Sequence, residues 1–153
     1  MARTKEGATT VTISMDNLYK LERAQRESIQ KGIYAKDTSG LQTALGGFLT
    51  ALGFICAKAP TPYGVAIGVV SVANGMLDSD KDILDKLSNS GLNWIRAQYD
   101  FMYDHPQYDL IEITYPYLDY LNVDGNGKDI RFATGKGSLN KVHLKNGGGW
   151  ISA

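Results

Sequence analysis

Apolar residues recur along this chain with two different periods. From about residue 16 to 104 they follow helical spacing, and after Pro106 they alternate. Ahead of both, Val11 and Ile13 alternate with Thr10, Thr12 and Ser14, which predicts a short half-buried strand over Thr9–Ser14. Met1–Ala8 is polar and reads as a flexible tail. Asp16 is placed to cap a helix running to about Gln30, with Leu18, Leu21 and Ala24 as its apolar stripe. Gly32 and the run Lys36–Gly40 mark a break.

Two uncharged stretches follow, Thr38–Ala57 and Ala59–Leu77, separated by Lys58 and turned by Pro60-Thr61-Pro62. Leu41, Leu45, Phe48, Leu52 and Ile55 keep helical spacing in the first, beside the small residues Thr43, Gly47 and Ala51. Gly64, Gly68, Ser71 and Gly75 form a small-residue stripe in the second, flanked by Val65, Val69, Val72 and Met76. Each glycine costs a helix about 1 kcal/mol relative to alanine. The expected return is close backbone contact with another helix, so a tight helical hairpin is predicted. A further helix starts at Asp78-Ser79-Asp80, is interrupted near Gly91 and ends before His105-Pro106. Beyond it, strands are predicted over 108–115, 117–123, 130–133 and 139–144. Turns fall at Asp124-Gly125-Asn126-Gly127 and Gly135-Lys136-Gly137, and the pair Trp150-Ile151 closes the chain. The expectation is one α+β domain over residues 9–153, with a helical part over about 16–104 and an antiparallel β-meander over about 108–151.

Length and composition agree with one globular domain: 153 residues, 43% hydrophobic and 21% charged. The single cysteine, Cys56, excludes a disulfide framework within the chain. Sixteen basic and sixteen acidic residues balance, so no overall field attracts nucleic acid. The charges are sorted, however. Asp78–Asp124 is acidic, whereas the portion after Gly125 carries Lys128, Arg131, Lys136, Lys141 and Lys145 against Asp129 alone. Either the two segments neutralise one another or the C-terminal portion offers a basic strip. No apolar region follows the polar N-terminus. That predicts no secretory signal, hence a cytoplasmic location by default or release by a non-classical route.

The motifs give little chemistry. Asp78-x-Asp80-x-Asp82 starts like a calcium loop, but Ile83 and Asn89 stand where Gly and Glu are needed. In Asp124-x-Asn126-x-Lys128 a cation takes a ligand position. Thr134–Ser138 lacks the first glycine of a phosphate loop and the helix after it. His105 and His143 have no matching ligand set, with His105 expected to cap a helix and His143 to face solvent. No catalytic residue, metal or cofactor is expected. The tyrosines Tyr99, Tyr103, Tyr108, Tyr115, Tyr117 and Tyr120 fit either a helix–sheet packing layer or, with Lys136, Lys141 and Lys145, a partner surface.

Two partial resemblances bear on function. The uncharged stretches around Pro60-Thr61-Pro62, with Gly64-xxx-Gly68, look like the hydrophobic hairpin of pore-forming bacteriocins or phage holins, which implies membrane insertion of residues 38–77. The strand Thr9–Ser14 followed by two helices resembles the ribbon–helix–helix of small repressors, which implies DNA contact through Thr10, Thr12 and Ser14; their short uncharged side chains argue against nucleic acid. The reading preferred on residues alone is a non-enzymatic binding or assembly protein of bacterial or phage type, working through a protein partner or self-association. Its expected contact positions are Gly47, Gly64, Gly68, Ser71 and Gly75, used in packing, in membrane contact or in partner contact.

Overall fold

A computed structural model describes residues 3–153 and shows an α+β architecture. Strand β1 spans Arg3–Ile13. Helix α1 (Met15–Glu27) passes into a π-helical segment, Ser28–Tyr34. Helix α2 (Thr38–Leu45) is followed by a 3₁₀ segment, Leu49–Phe54, then α3 (Pro62–Asn74) and α4 (Asp78–Asp104). The strands β2 (Tyr108–Leu121), β3 (Ile130–Ala133), β4 (Ser138–Leu144) and β5 (Gly149–Ser152) complete the chain.

The sheet is antiparallel, in the order β1-β2-β4-β5, with β3 also paired to β2. Strand β2 is its spine. It carries β1 along one side from Arg3↔Leu121 to Ile13↔Ile111 without a register shift. Its other side is shared end to end, with β4 against its first half and β3 against residues 117–120. The sequence suggests two strands broken at Pro116, yet one strand runs through it. Pro116 lies between the segments paired to β4 and to β3, and its carbonyl accepts the Thr134 N–H at 3.0 Å. The N–H that proline lacks would point to the same side, where no ladder partner stands opposite.

Residues 3–8, read from sequence as tail, belong to β1, because β2 is long enough to pair them. Met1 and Ala2 lie outside the described residues. Helix α1 is capped by Ser14, whose hydroxyl accepts the Asn17 N–H at 3.2 Å, rather than by Asp16. Gly32 does not end the helical path; a side chain there would collide with Val69 of α3. Gly91 does not interrupt α4 either. It leaves room for the backbone of Ala133 and Thr134, which crosses the helix at that point. Asp80 accepts the Leu77 N–H at 3.2 Å and so begins α4.

The first arm of the expected hairpin is not one helix. Its helical period continues in the side chains, but Gly46 and Gly47, both exposed, end α2 and lead into the 3₁₀ turn. The turn folds Ala51, Leu52, Ile55 and Cys56 into the core. Among the described residues no helix is long and apolar enough to cross a membrane. Leu41, Leu45, Val65, Val69 and Val72 instead form one core with Leu18, Leu21, Ile13, Ile111 and Ile113. Burial of each such side chain contributes about 1.5–3 kcal/mol.

Candidate functional site

The residues singled out from sequence separate into distinct environments. Of the small-residue positions, Gly64 and Gly68 are buried in α3. A Cβ on Gly64 would meet the Ala59 carbonyl at 2.7 Å. One on Gly68 would meet Ile130 Cδ1 at 2.7 Å, so its close partner is strand β3 rather than the other hairpin arm. Gly47, Ser71 and Gly75 are exposed and form no hairpin seam.

Among the tyrosines, Tyr115, Tyr117 and Tyr120 are 2%, 8% and 5% exposed, which removes them from any partner surface. Burial pushes the hydroxyls of Tyr115 and Tyr120 up to about 12. The alternating period sets Tyr115 on the face of Ile111 and Ile113, which is core; Tyr117 joins that face because one strand runs through Pro116. Tyr108 is half-buried and stacks with Phe101 and His105. With Lys145 it borders an open cleft of about 430 Å³ between the start of α1 and the end of α4. Lys136 and Lys141 are exposed elsewhere, on the β3–β4 turn and on β4. The basic strip is further divided by pairing. Arg131 grips Asp119 with two bonds of 2.8 and 2.9 Å and lies 3.7 Å over the Tyr117 ring, and Lys128 reaches inward to the Gly64 carbonyl.

His143, expected to face solvent, is half-buried and its Nδ1 lies 2.6 Å from Asp109 Oδ1. Asp109 is the extra residue of a bulge, where β2 advances two residues, from Tyr108 to Leu110, while β4 moves one, from Leu144 to His143. The bond to His143 holds the Asp109 carboxyl below its ordinary range. Trp150 of β5 packs over the same imidazole, with ring centroids 5.1 Å apart. Among the described residues no three metal-ligating side chains gather; in the calcium-like runs Asp80 caps α4, Asp124 closes a turn and Asp82 accepts from the Tyr34 hydroxyl.

The feature that sequence reasoning missed is the outer side of β1. In an antiparallel ladder successive residues aim their main-chain groups alternately at the two neighbours. Pro116 directs its carbonyl away from β1, to Thr134. Its partner Ala8 therefore turns its own N–H and C=O away from β2. By the same alternation Thr4, Glu6, Thr10 and Thr12 do so too. No strand of the sheet lies beyond them among the described residues. A line of side-chain hydrogen bonds crosses the sheet to this edge. Ser138 Oγ meets Asn140 Oδ1 at 2.9 Å, Asn140 donates to Thr114 Oγ1 at 2.9 Å, and Thr114 meets the Thr10 hydroxyl at 2.7 Å. Alternation with Val11 and Ile13 set the side chains of Thr10 and Thr12 on the opposite face of the strand, but which main-chain groups turn to the free edge follows only from the pairing with β2. The reach of the edge to Thr4 was not legible either, because Arg3–Ala8 lacks an apolar face.

Comparison of the chain with family models, with curated proteins and with solved structures finds no match to any of the three. The resemblance to a ribbon–helix–helix does not extend to the strand, since β1 is the border of a five-stranded sheet.

Proposed function

We propose that this chain is a non-enzymatic binding or assembly protein whose working surface is the β1 edge, where a protein partner adds an extended strand. The observation that supports this reading is the edge itself: an unbulged strand, Arg3–Ile13, with no proline and with the main-chain groups of Thr4, Glu6, Ala8, Thr10 and Thr12 turned outward. Strand addition takes affinity from such groups and selectivity from alternate side chains. The strand that supports β1 is anchored in the core, since Ile111, Ile113 and Tyr115 of β2, paired with Ile13, Val11 and Thr9, are buried. A preformed edge avoids part of the ordering cost of association.

The test uses Ala8→Pro. That substitution deletes an outward N–H while leaving the β1–β2 ladder its own bonds. Extended peptides selected from a random display library on the wild-type protein should lose at least about tenfold in affinity for Ala8→Pro. Retained binding to a folded Ala8→Pro protein, or failure to select any peptide, overturns the reading.

A further inference from the structure

Resting on that reading, we infer that the strand which fills the edge is β1 of a second copy of this chain, laid antiparallel about a twofold axis at Ala8. The register of β1 against itself selects the axis. Only outward-facing residues can exchange main-chain bonds, and these are Thr4, Glu6, Ala8, Thr10 and Thr12. With Ala8 opposite Ala8 of the second copy, Thr4 meets Thr12 and Glu6 meets Thr10. Every outward residue is then used, giving about ten main-chain hydrogen bonds. Moving the axis to Gly7 pairs Thr4 with Thr10 and Glu6 with Ala8, and sets Thr12 opposite Ala2, which lies outside the described residues. Moving it to Glu6 sets two carboxylates directly opposite, which is repulsive.

Side chains agree with the same register. The polar line Ser138–Asn140–Thr114–Thr10 stops at the edge, and Glu6 of the second copy would stand next to the Thr10 hydroxyl as an acceptor. On the other face Lys5 meets Val11, over which its aliphatic stem can lie. Ala8, one of the smallest residues of β1, falls at the axis, where it faces its own copy. A groove bordered by Thr4, Met76 and Ile83 adjoins the end of the strand, and Ile83 is 58% exposed. The twofold brings Thr12 of the second copy beside Thr4 and so covers that end. The two sheets become one continuous sheet.

The experiment is sedimentation equilibrium of the wild-type protein with Ala8→Lys and Ala8→Glu. The wild type is expected to be a dimer. Each variant alone places like charges at the axis and should weaken dimerisation at least about tenfold, whereas an equimolar mixture of the two should restore it. Restoration supports the register, because only a residue facing itself behaves so. Wild-type dimers that persist in both single variants overturn it. A wild type that stays monomeric up to about 1 mM overturns self-pairing. In that case peptides that bind in an Ala8→Pro-sensitive way would still uphold strand addition, and peptides indifferent to it would remove both. A readout without substitution is amide exchange of the wild type. The Thr4, Glu6, Ala8, Thr10 and Thr12 amides should slow at least about tenfold from dilute to concentrated solution, and unchanged exchange overturns the proposal.

Discussion

Strand β1 borders the sheet with eleven residues in unbroken register, whereas β5 borders it with four. The shorter border carries the usual protections against unwanted pairing. It hangs on β4, whose pairing to β2 shifts register twice; Gly147 in the turn before it and Gly149, its own first residue, both take positive φ. Its anchors are half-exposed rings. The longer border has neither bulge nor proline, and its anchors lie in the core. Its guards are the exposed charges Arg3, Lys5 and Glu6, confined to its first four residues, and the proposed strand addition uses the edge as a whole. The β5 edge is suited to being left alone.

The comparison can be broken most directly at the anchors. Ile13 ends β1 at 1% exposure, and Ile151 sits in β5 at 43%. Ile13→Ala should cost about 3 kcal/mol in urea unfolding, while Ile151→Ala should stay within about 0.5 kcal/mol. Equal costs would mean that the two borders are held alike. The next effect concerns the turn that lets β3 and β4 share one side of β2. A Cβ at Gly137 would collide with the Thr114 carbonyl oxygen, so Gly137→Ala must displace β4. A loss of about 2 kcal/mol is expected. Amide exchange should quicken in β4 and β5 and stay unchanged in β1; quickening in β1 would show that the two borders are not independent.

Much of this contrast was written in the chain, but unevenly. The class, helix α3, the short strands β3 and β4 and the buried face of Ile111 and Ile113 follow from periodicity, since period alone decides which face is apolar. The length of β1 does not. Arg3–Ala8 is polar and ends in Gly-Ala, and it is extended because β2 continues opposite it. Pro116 looks like a break until the division of one side of β2 between two neighbours is known. The uncharged stretch after Thr38 keeps its apolar period across Gly46-Gly47, which hides the change from α-helix to 3₁₀ turn. Gln25 gives no local signal, yet its buried amide bonds both the N–H and the carbonyl of Ala133, at 2.8 and 2.9 Å. As for the candidate site, only the side-chain face of Thr10 and Thr12 could be read from the alternation. Glu6 and Ala8 gain meaning only from pairing with β2.

Two smaller effects sharpen the view of the β5 side. Trp150 contacts solvent on one side and the His143 ring on the other. Trp150→Ala should cost about 1 kcal/mol, with faster exchange confined to 149–152 and to residues near His143. A loss spread over β1 would contradict the separation of the borders.

The hydrogen bond from His143 and the charge it can carry hold the exposed Asp109 carboxyl below its ordinary range. A carboxyl lowered in the folded state binds its proton more weakly there than in the unfolded chain. Its stabilising contribution is therefore complete above the unfolded value of about 3.9 and is lost as pH falls through the lower folded value. Asp109→Asn removes this linkage. Wild type and variant should differ by a small constant amount from pH 5 to 6, as an order-of-magnitude window, and converge as pH falls below about 4. The convergence should appear in the exchange of β4 and β5 amides, since Asp109 and His143 join the β2 bulge to β4. The β1 amides should follow the same acid profile in both proteins. A difference between wild type and Asp109→Asn that grows toward low pH would have the wrong sign for a depressed carboxyl, and would separate the His143 contact from the stability of the β5 border.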